Sequence, residues 1–393
     1  MNYSNTIFNQ LLSFLPRNKF NSFVGQHQAD RYTKKLTTWN QLVALLYAQA
    51  TGKVSLREIE TGLNLNKNTW HHLGIGSVAK SSLAEANSRR SYQIFEKLFY
   101  TLLAQCKENI PEEDKFSFKN PLYSFDSTTI ELCLSLFDWA KFRTAKGALK
   151  IHTLLNNRTT IPELLNITTG KVGDITGLKT IDLKLPPKSI IVFDRAYIDY
   201  ELWDKMSRQK IFFVSRSKIN QNLFVIGQHN LKKYLEPNIL ADEKVIYGGY
   251  QTGQKYSEVV LRRVKYYHEQ DEREYTYLTN NFELSARQIA DIYKNRWQIE
   301  LFFKWIKQNL KIKTFLGTSE NAVLTQIWVA MIYYLLLAYI KFQTKFKKSL
   351  LELTRMIREV LLTRRNLIDL LSLNINTILR FKKEEDDWQL SFW

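Results

Sequence analysis

One stretch constrains the fold more than any other: SARQIADIYKNRWQIELFFKWIKQNLKIKTFLG, from Ser285 to Gly317. Ser285 followed by Gln288 is a capping-box start, and no Pro or Gly intervenes before Gly317, so the pattern predicts one long helix. At about 100° per residue, with Tyr293 at zero, Arg296 falls near ~300°, Glu300 near ~340° and Lys307 near ~320°. Lys304 and Lys311 lie within about 20° of Tyr293. Ile292, Ile299, Phe302, Ile306 and Leu310 occupy roughly 180–260°, the stripe that must be buried. Beside it runs a narrow line of Tyr, Arg, one carboxylate and several lysines. A solvated face with pairs such as Glu300–Lys304 is the ordinary reading of that line. A phosphate-gripping face with one metal ligand is the other, and the rest of the chain must decide.

Charge narrows the partner. Lys plus Arg outnumber Asp plus Glu by 56 to 38, a formal net charge of +18 and a pI near 9.6. With aromatic and basic residues interleaved throughout, this points to nucleic acid ahead of a membrane surface. At 393 residues and 45% hydrophobic, the chain can bury a large core and divide into two or three domains. The two cysteines, Cys106 and Cys133, sit in apolar contexts, read as buried thiols of a reducing compartment, and leave no cysteine-based zinc site. The histidines lack HExxH spacing, the N-terminus lacks the order of a signal peptide, and no GxxxxGK or GxGxxG supports ATP-driven or nicotinamide chemistry. AVLTQIWVAMIYYLLLAYI, Ala322 to Ile340, is interrupted by Thr325 and Gln326 and reads as a buried core helix, with no membrane span.

In chain order, residues 1–110 read as helical and as a DNA-contacting domain. TWNQLVALLYAQ ends at Gly52, SLREIETGL has a Ser55–Glu58 capping box and ends at Gly62, and SSLAEANSRRSYQIFEKLFYTLLAQCKEN reads as one long amphipathic helix. From residue 111 the pattern turns to strands: PLYSFDSTTIELCLSLF, KGALKIHTLLN and TTIPELLNITT suggest an antiparallel meander. DITGLKTIDLKL reads as a helix. A strand (Ser189–Phe193), a helix (Tyr200–Arg208) and a strand (Ile211–Ser215) follow. Asp194 thus stands at the C-terminal end of a buried strand, where open α/β sheets place their sites. Residues 218–283 read as a β-rich insertion, and 341–393 as a helical C-terminal region with an acidic, aromatic tail. Residues 111–217 and 284–340 then form the core.

Three acids lie at suggestive points: Asp126 within the YSFDSTT strand, Asp194 after the IIVF strand, and Glu300 on the helix line. A strand-Asp, strand-Asp, helix-acid set is the arrangement that holds two hard cations about 3.5–4 Å apart for phosphoryl transfer. Singly, each has a mundane explanation, and Asp138, Asp174, Asp182, Asp199 and Asp204 compete for the role. His152 reads as a satisfied core histidine. Trp297, one residue off the line, reads as packing or as a platform for an unpaired base.

Tyr293-x2-Arg296-x3-Glu300-x6-Lys307 resembles the Tyr-Arg-Glu-Lys signature of insertion-sequence 4 family transposases. Asp194-Arg195-Ala196-Tyr197 is similar to that family's Asp-Arg-Gly-Tyr motif, with alanine for glycine. Asp126, followed by Ser127 and Thr128, is similar to its first-Asp motif, and LVALLYAQATGKVSLREIETGL looks like the helical domain preceding the core in one branch. The resemblance spans residues 1–340. It implies a mixed α+β and α/β fold, with a ribonuclease-H-like core interrupted by a β-strand insertion and flanked by helical regions. It implies a DDE transposase that cuts and pastes DNA at terminal inverted repeats by nicking, hairpin formation and strand transfer. Asp126, Asp194 and Glu300 would hold two Mg²⁺ ions, with Mn²⁺ able to substitute, and Tyr293, Arg296, Trp297, Lys304 and Lys307 would hold DNA. The partners implied are double-stranded DNA, as element ends and target, and a second copy in the synaptic complex, in the bacterial cytoplasm. The alternative is a catalytically inactive, transposase-derived DNA-binding repressor.

Overall fold

A computed structural model describes residues 5–110, 116–143, 146–181, 183–218, 221–229, 237–248, 259–309 and 315–372. The chain forms two compact units: Met1–Ile110 with Trp305–Trp393, and Pro111–Lys304. The Lys311, Leu310 and Asp182 positions and the acidic tail lie outside the described residues.

The first unit is helical throughout its described residues, apart from one isolated bridge between Thr6 and Arg364. At its centre lies Glu320–Gln343, in which every residue from Ala322 to Leu337 is buried. It is long and apolar enough to cross a membrane by length and composition. Apolar residues on all sides are equally what a helix enclosed by protein requires, and Thr38–Thr51, Lys80–Arg89 and Gln93–Asn109 pack around it.

Local chemistry sets the boundaries here. Thr37 caps Thr38–Thr51 by accepting from Asn40 N, and Gly52 ends it at a left-handed φ of 76°. Ser55 caps Leu56–Leu65 through Glu58 N, but Glu58 Oε2 accepts from Val54 N, one residue before the cap. That helix also runs past Gly62 to Leu65. Gly62 is a packing residue, because a Cβ there would lie 2.5 Å from Tyr47 Oη. The single helix expected over residues 81–109 is two, Lys80–Arg89 and Gln93–Asn109. Asn321 staples the break: its amide donates to Asn87 O (2.9 Å) and Arg90 O (2.6 Å), and its Oδ1 accepts from Tyr92 N (3.0 Å).

The second unit is built on one sheet. Its strands are β1 (Leu122–Leu132), β2 (Lys141–Arg143), β3 (Lys146–Asn156), β4 (Pro162–Thr169), β5 (Ile190–Phe193), β6 (Phe212–Arg216), β7 (Leu223–Gln228), β8 (Ile239–Tyr247), β9 (Leu261–His268) and β10 (Arg273–Thr279). The order is β2-β3-β1-β5-β6-β10-β9-β8-β7, and β4 also pairs with β3, on the edge away from β1. β3 and β4 pair antiparallel in sequence onto β1, while β5 and β6 run parallel to β1. Three antiparallel strands followed by two parallel ones make the ribonuclease-H-like core expected. The inserted strands β7–β10 are an antiparallel meander that continues the same sheet through β10 and β6. Among the described residues of DITGLKTIDLKL, only Asp174–Lys179 is helical.

A helix from Ala286 to Lys294 follows the insertion, with the capping box of Ser285 and Gln288 in place. The single long helix expected from Ser285 does not form. The chain breaks at Asn295 and Arg296 and resumes as Trp297–Asn309. The Asn295 side chain takes the Asp291 carbonyl (2.8 Å), and Asn295 N and Arg296 N bond three residues back, to Ile292 O and Tyr293 O. Those tightened bonds interrupt the α-helical ladder. Cys106 is buried, but Cys133 is exposed, contrary to the expectation of two buried thiols.

Candidate active site

The sheet brings two of the three acids together. Ser124 and Val192 are partners in the parallel β1–β5 register. Two residues on, Asp126 and Asp194 reach the same level on adjacent strands and, by the period of two, the same face. Asp194 directly follows β5, where its side chain turns back to accept from Ala196 N (2.6 Å). The DRAY segment is thus a capped turn that fixes this carboxylate.

Asp126 is the most perturbed acid of the site. Burial, with the negative charges of Asp194 and Asp174, pushes its carboxyl up to about 6, against the opposing Ser127 N–H and Arg296 guanidinium. Ser127 N donates to Asp126 Oδ1 (2.8 Å), and Tyr197 Oη donates to the same oxygen (3.4 Å). Ser127 Oγ and Lys150 Nζ both donate to Asp174 Oδ1, at 2.6 and 2.8 Å. Of the competing acids, Asp174 therefore joins the periphery of the site. Asp199 caps a helix and pairs with Lys179, and Asp204 pairs with Arg208. His152 is fully buried and bonds Thr168 through Nε2 (3.0 Å), as a core histidine.

The interrupted helix supplies the rest. Arg296, at the break, ion-pairs with Glu300 Oε1 through Nη2 and reaches Asp126 Oδ2 at 3.8 Å through Nη1. One guanidinium thus links the strand acid to the helix acid. Among the described residues no three carboxylate, histidine or cysteine side chains converge at metal-binding distance. Tyr293 lies beside Arg296, with the guanidinium 5.8 Å from its ring centre, and packs against Tyr277 at 4.9 Å. Trp297 is 58% exposed, and Lys304 and Lys307 are exposed farther along the helix.

Sequence reasoning missed the opposite wall. Tyr293, Arg296 and Trp297 border a cavity of about 340 Å³ whose other side carries Arg216, Tyr275 and Tyr277. Arg216 lies over the Tyr275 ring at 4.5 Å. The signal was present in EREYTYLT, where Tyr275 and Tyr277 alternate onto one face. Partly buried, hydrogen-bonded hard oxygens beside cations and aromatic rings form a site suited to a polyanion and its counter-ions.

The chain itself is similar to known proteins. A family model described as a transposase DDE domain matches residues 117–336, and one described as a domain of unknown function (DUF4372) matches residues 3–76. The chain belongs to the DDE transposase family. "Putative transposase y4zB" of Sinorhizobium fredii is 32% identical over 291 residues, 74% of this chain and 80% of that protein. "Probable transposase for insertion sequence element IS5377" of Geobacillus stearothermophilus is 30% identical over 67% of this chain and 68% of its own length. A piggyBac transposase, solved in a synaptic complex with hairpin DNA, is similar at a TM-score of 0.45 and 10% identity, over 96% of this chain and 83% of that one. The transposase is accordingly an enzyme that cleaves and joins DNA with divalent-metal dependence.

Proposed function

We propose that this transposase belongs to the insertion-sequence 4 branch and moves its element by cutting and pasting at the terminal inverted repeats. In this reading water frees a 3′-hydroxyl, which attacks the opposite strand to form a hairpin; the hairpin is reopened, and the 3′-hydroxyl joins target DNA. The observation that carries the reading is Arg296, which spans Asp126 and Glu300 within the Tyr-Arg-Glu-Lys spacing.

Asp126, Asp194 and Glu300 are the residues that would hold metal. The donor set fits: Asp126 is a carboxyl held at about 6 by burial and like charge, so a hard cation with oxygen ligands would relieve it. Two Mg²⁺ ions, with Mn²⁺ as a substitute, would supply charge stabilisation at the attacking and leaving oxygens. Arg296 then exchanges Glu300 for a DNA phosphate, which its planar fork grips in two places, and the exchange frees the Glu300 carboxylate. Tyr293, Lys304 and Lys307 hold the same strand, and Trp297 offers its exposed ring to an unpaired base. Residues 1–110 contact DNA, and two copies join in the synaptic complex.

Cleavage of labelled DNA carrying the element's ends tests this, with Mg²⁺ and with Glu300→Gln beside the wild type. Nicks and hairpins made by the wild type and lost by at least about a thousandfold in Glu300→Gln are the expected outcome. Binding without cleavage by the wild type would favour the repressor.

A further inference from the structure

The loop that joins helices Arg17–Gln26 and Thr38–Thr51 is braced from beneath and bare on top. Arg90, whose side chain is only 10% exposed, is the brace. Its Nε donates to Ala29 O (3.2 Å) and its Nη1 to Gln41 Oε1 (3.3 Å). Its Nη2 donates to Thr33 Oγ1 (3.2 Å) and to Leu36 O. Asp30 pairs with the same guanidinium at 3.4 Å and accepts from Thr38 N and Oγ1. A rigid, always-charged fork therefore fixes the loop at several points.

The outer side has no such support. Tyr32 is 86% exposed yet sits at a φ of 62°. A bulky residue in the left-handed region is a strained outlier, and this ring offsets nothing by burial. Gln28, in the same loop, also has a positive φ, of 48°. Arg31, Lys34 and Lys35 are exposed in the same loop. Arg31 Nη1 donates to Gln28 Oε1 (2.9 Å), with its guanidinium 5.0 Å from the Tyr32 ring centre. The Lys34 and Lys35 side chains have no partner among the described residues.

We propose that residues 27–37 form a preorganised contact for double-stranded DNA, with Arg31, Lys34 and Lys35 on phosphates and the Tyr32 ring against the sugar and base edges between them. Strain held by a buried clamp and displayed on an exposed aromatic tip is a binding device, because the ordering is complete before DNA arrives. Cations on a flexible tail would pay that entropy on association. The proposal rests on reading residues 1–110 as DNA-contacting, and it assigns the face that does so.

The test uses the full chain, labelled duplex carrying the element's ends, and fluorescence anisotropy across a range of KCl. Lys34→Gln with Lys35→Gln should lower the slope of log affinity against log salt by roughly 2, about 0.9 for each phosphate no longer neutralised. Tyr32→Ala should weaken binding roughly tenfold with the slope kept, and Tyr32→Phe should restore it. Tyr32→Gly guards against a folding artefact: relief of the left-handed φ should raise the thermal midpoint while binding still falls. Wild-type affinity and slope in all of these variants would overturn the proposal. If Arg57→Gln with Lys67→Gln, two exposed cations on and just after the helix Leu56–Leu65, weakens binding instead, residues 1–110 contact DNA through another face. If that pair is also silent, the DNA-contacting reading falls with it.

Discussion

Asp126 is held at about 6 in the fold, against an ordinary value of 3.8. The folded state therefore binds its proton more tightly than the unfolded chain does. Between about pH 4 and 6 the folded state carries the excess proton, so stability declines as pH rises through that window and stays lower above it. Without metal, Asp126→Asn should raise stability at pH 7.5 by on the order of 3 kcal/mol, an advantage that vanishes near pH 4. Thermal denaturation in a chelator at the two pH values measures it, and an equal effect at both would count against the assignment. Gly177 makes a second residue-scale case. A Cβ there would run into the His152 ring, which is fully buried and cannot swing aside. Gly177→Ala should cost about 1–3 kcal/mol by overpacking, read by urea denaturation.

At the scale of elements, much was legible. The helix Tyr200–Arg208 forms as its pattern predicts, and the alternation in EREYTYLT and the apolar IIVF run become β10 and β5. The breaks were not legible, since Asn295 and Arg296 are both compatible with a helix interior and Asn321 lies far along the chain from the gap it staples. β7 was missed because LFVIGQ does not alternate: Phe224, Val225 and Ile226 are all exposed, and the pairing with β8 shifts register beside Gly227. The three carboxylates were readable as a spaced set, but the Arg296 bridge between two of them is a tertiary fact. Asn321→Ala should cost about 2–3 kcal/mol, from three partly buried hydrogen bonds at about 1 kcal/mol each. Chemical denaturation would show it, and a cost under about 0.5 kcal/mol would mean that the break is held by other contacts.

At the scale of the molecule, the sheet ends on β7 among the described residues, with three exposed apolar residues in a row and no charge on the strand to discourage pairing with another chain. Phe224→Lys should reduce light scattering on heating while changing stability by less than about 0.5 kcal/mol. Unchanged scattering would place the liability elsewhere. The course of the chain through its two units has a consequence for synthesis. The helical unit begins with residue 1, yet its central helix is Glu320–Gln343. In the second unit Asp126 and Asp194 come early, whereas Glu300 arrives 106 residues after Asp194 (300 − 194), beyond the inserted strands. At about 5–20 residues per second, the ribosome takes on the order of 5–20 s to cover that interval. A nascent chain has neither a finished core for its first hundred residues nor Glu300 until most of the message has been read. Under the proposed assignment of the acids, a fragment ending before Glu300 carries an incomplete site.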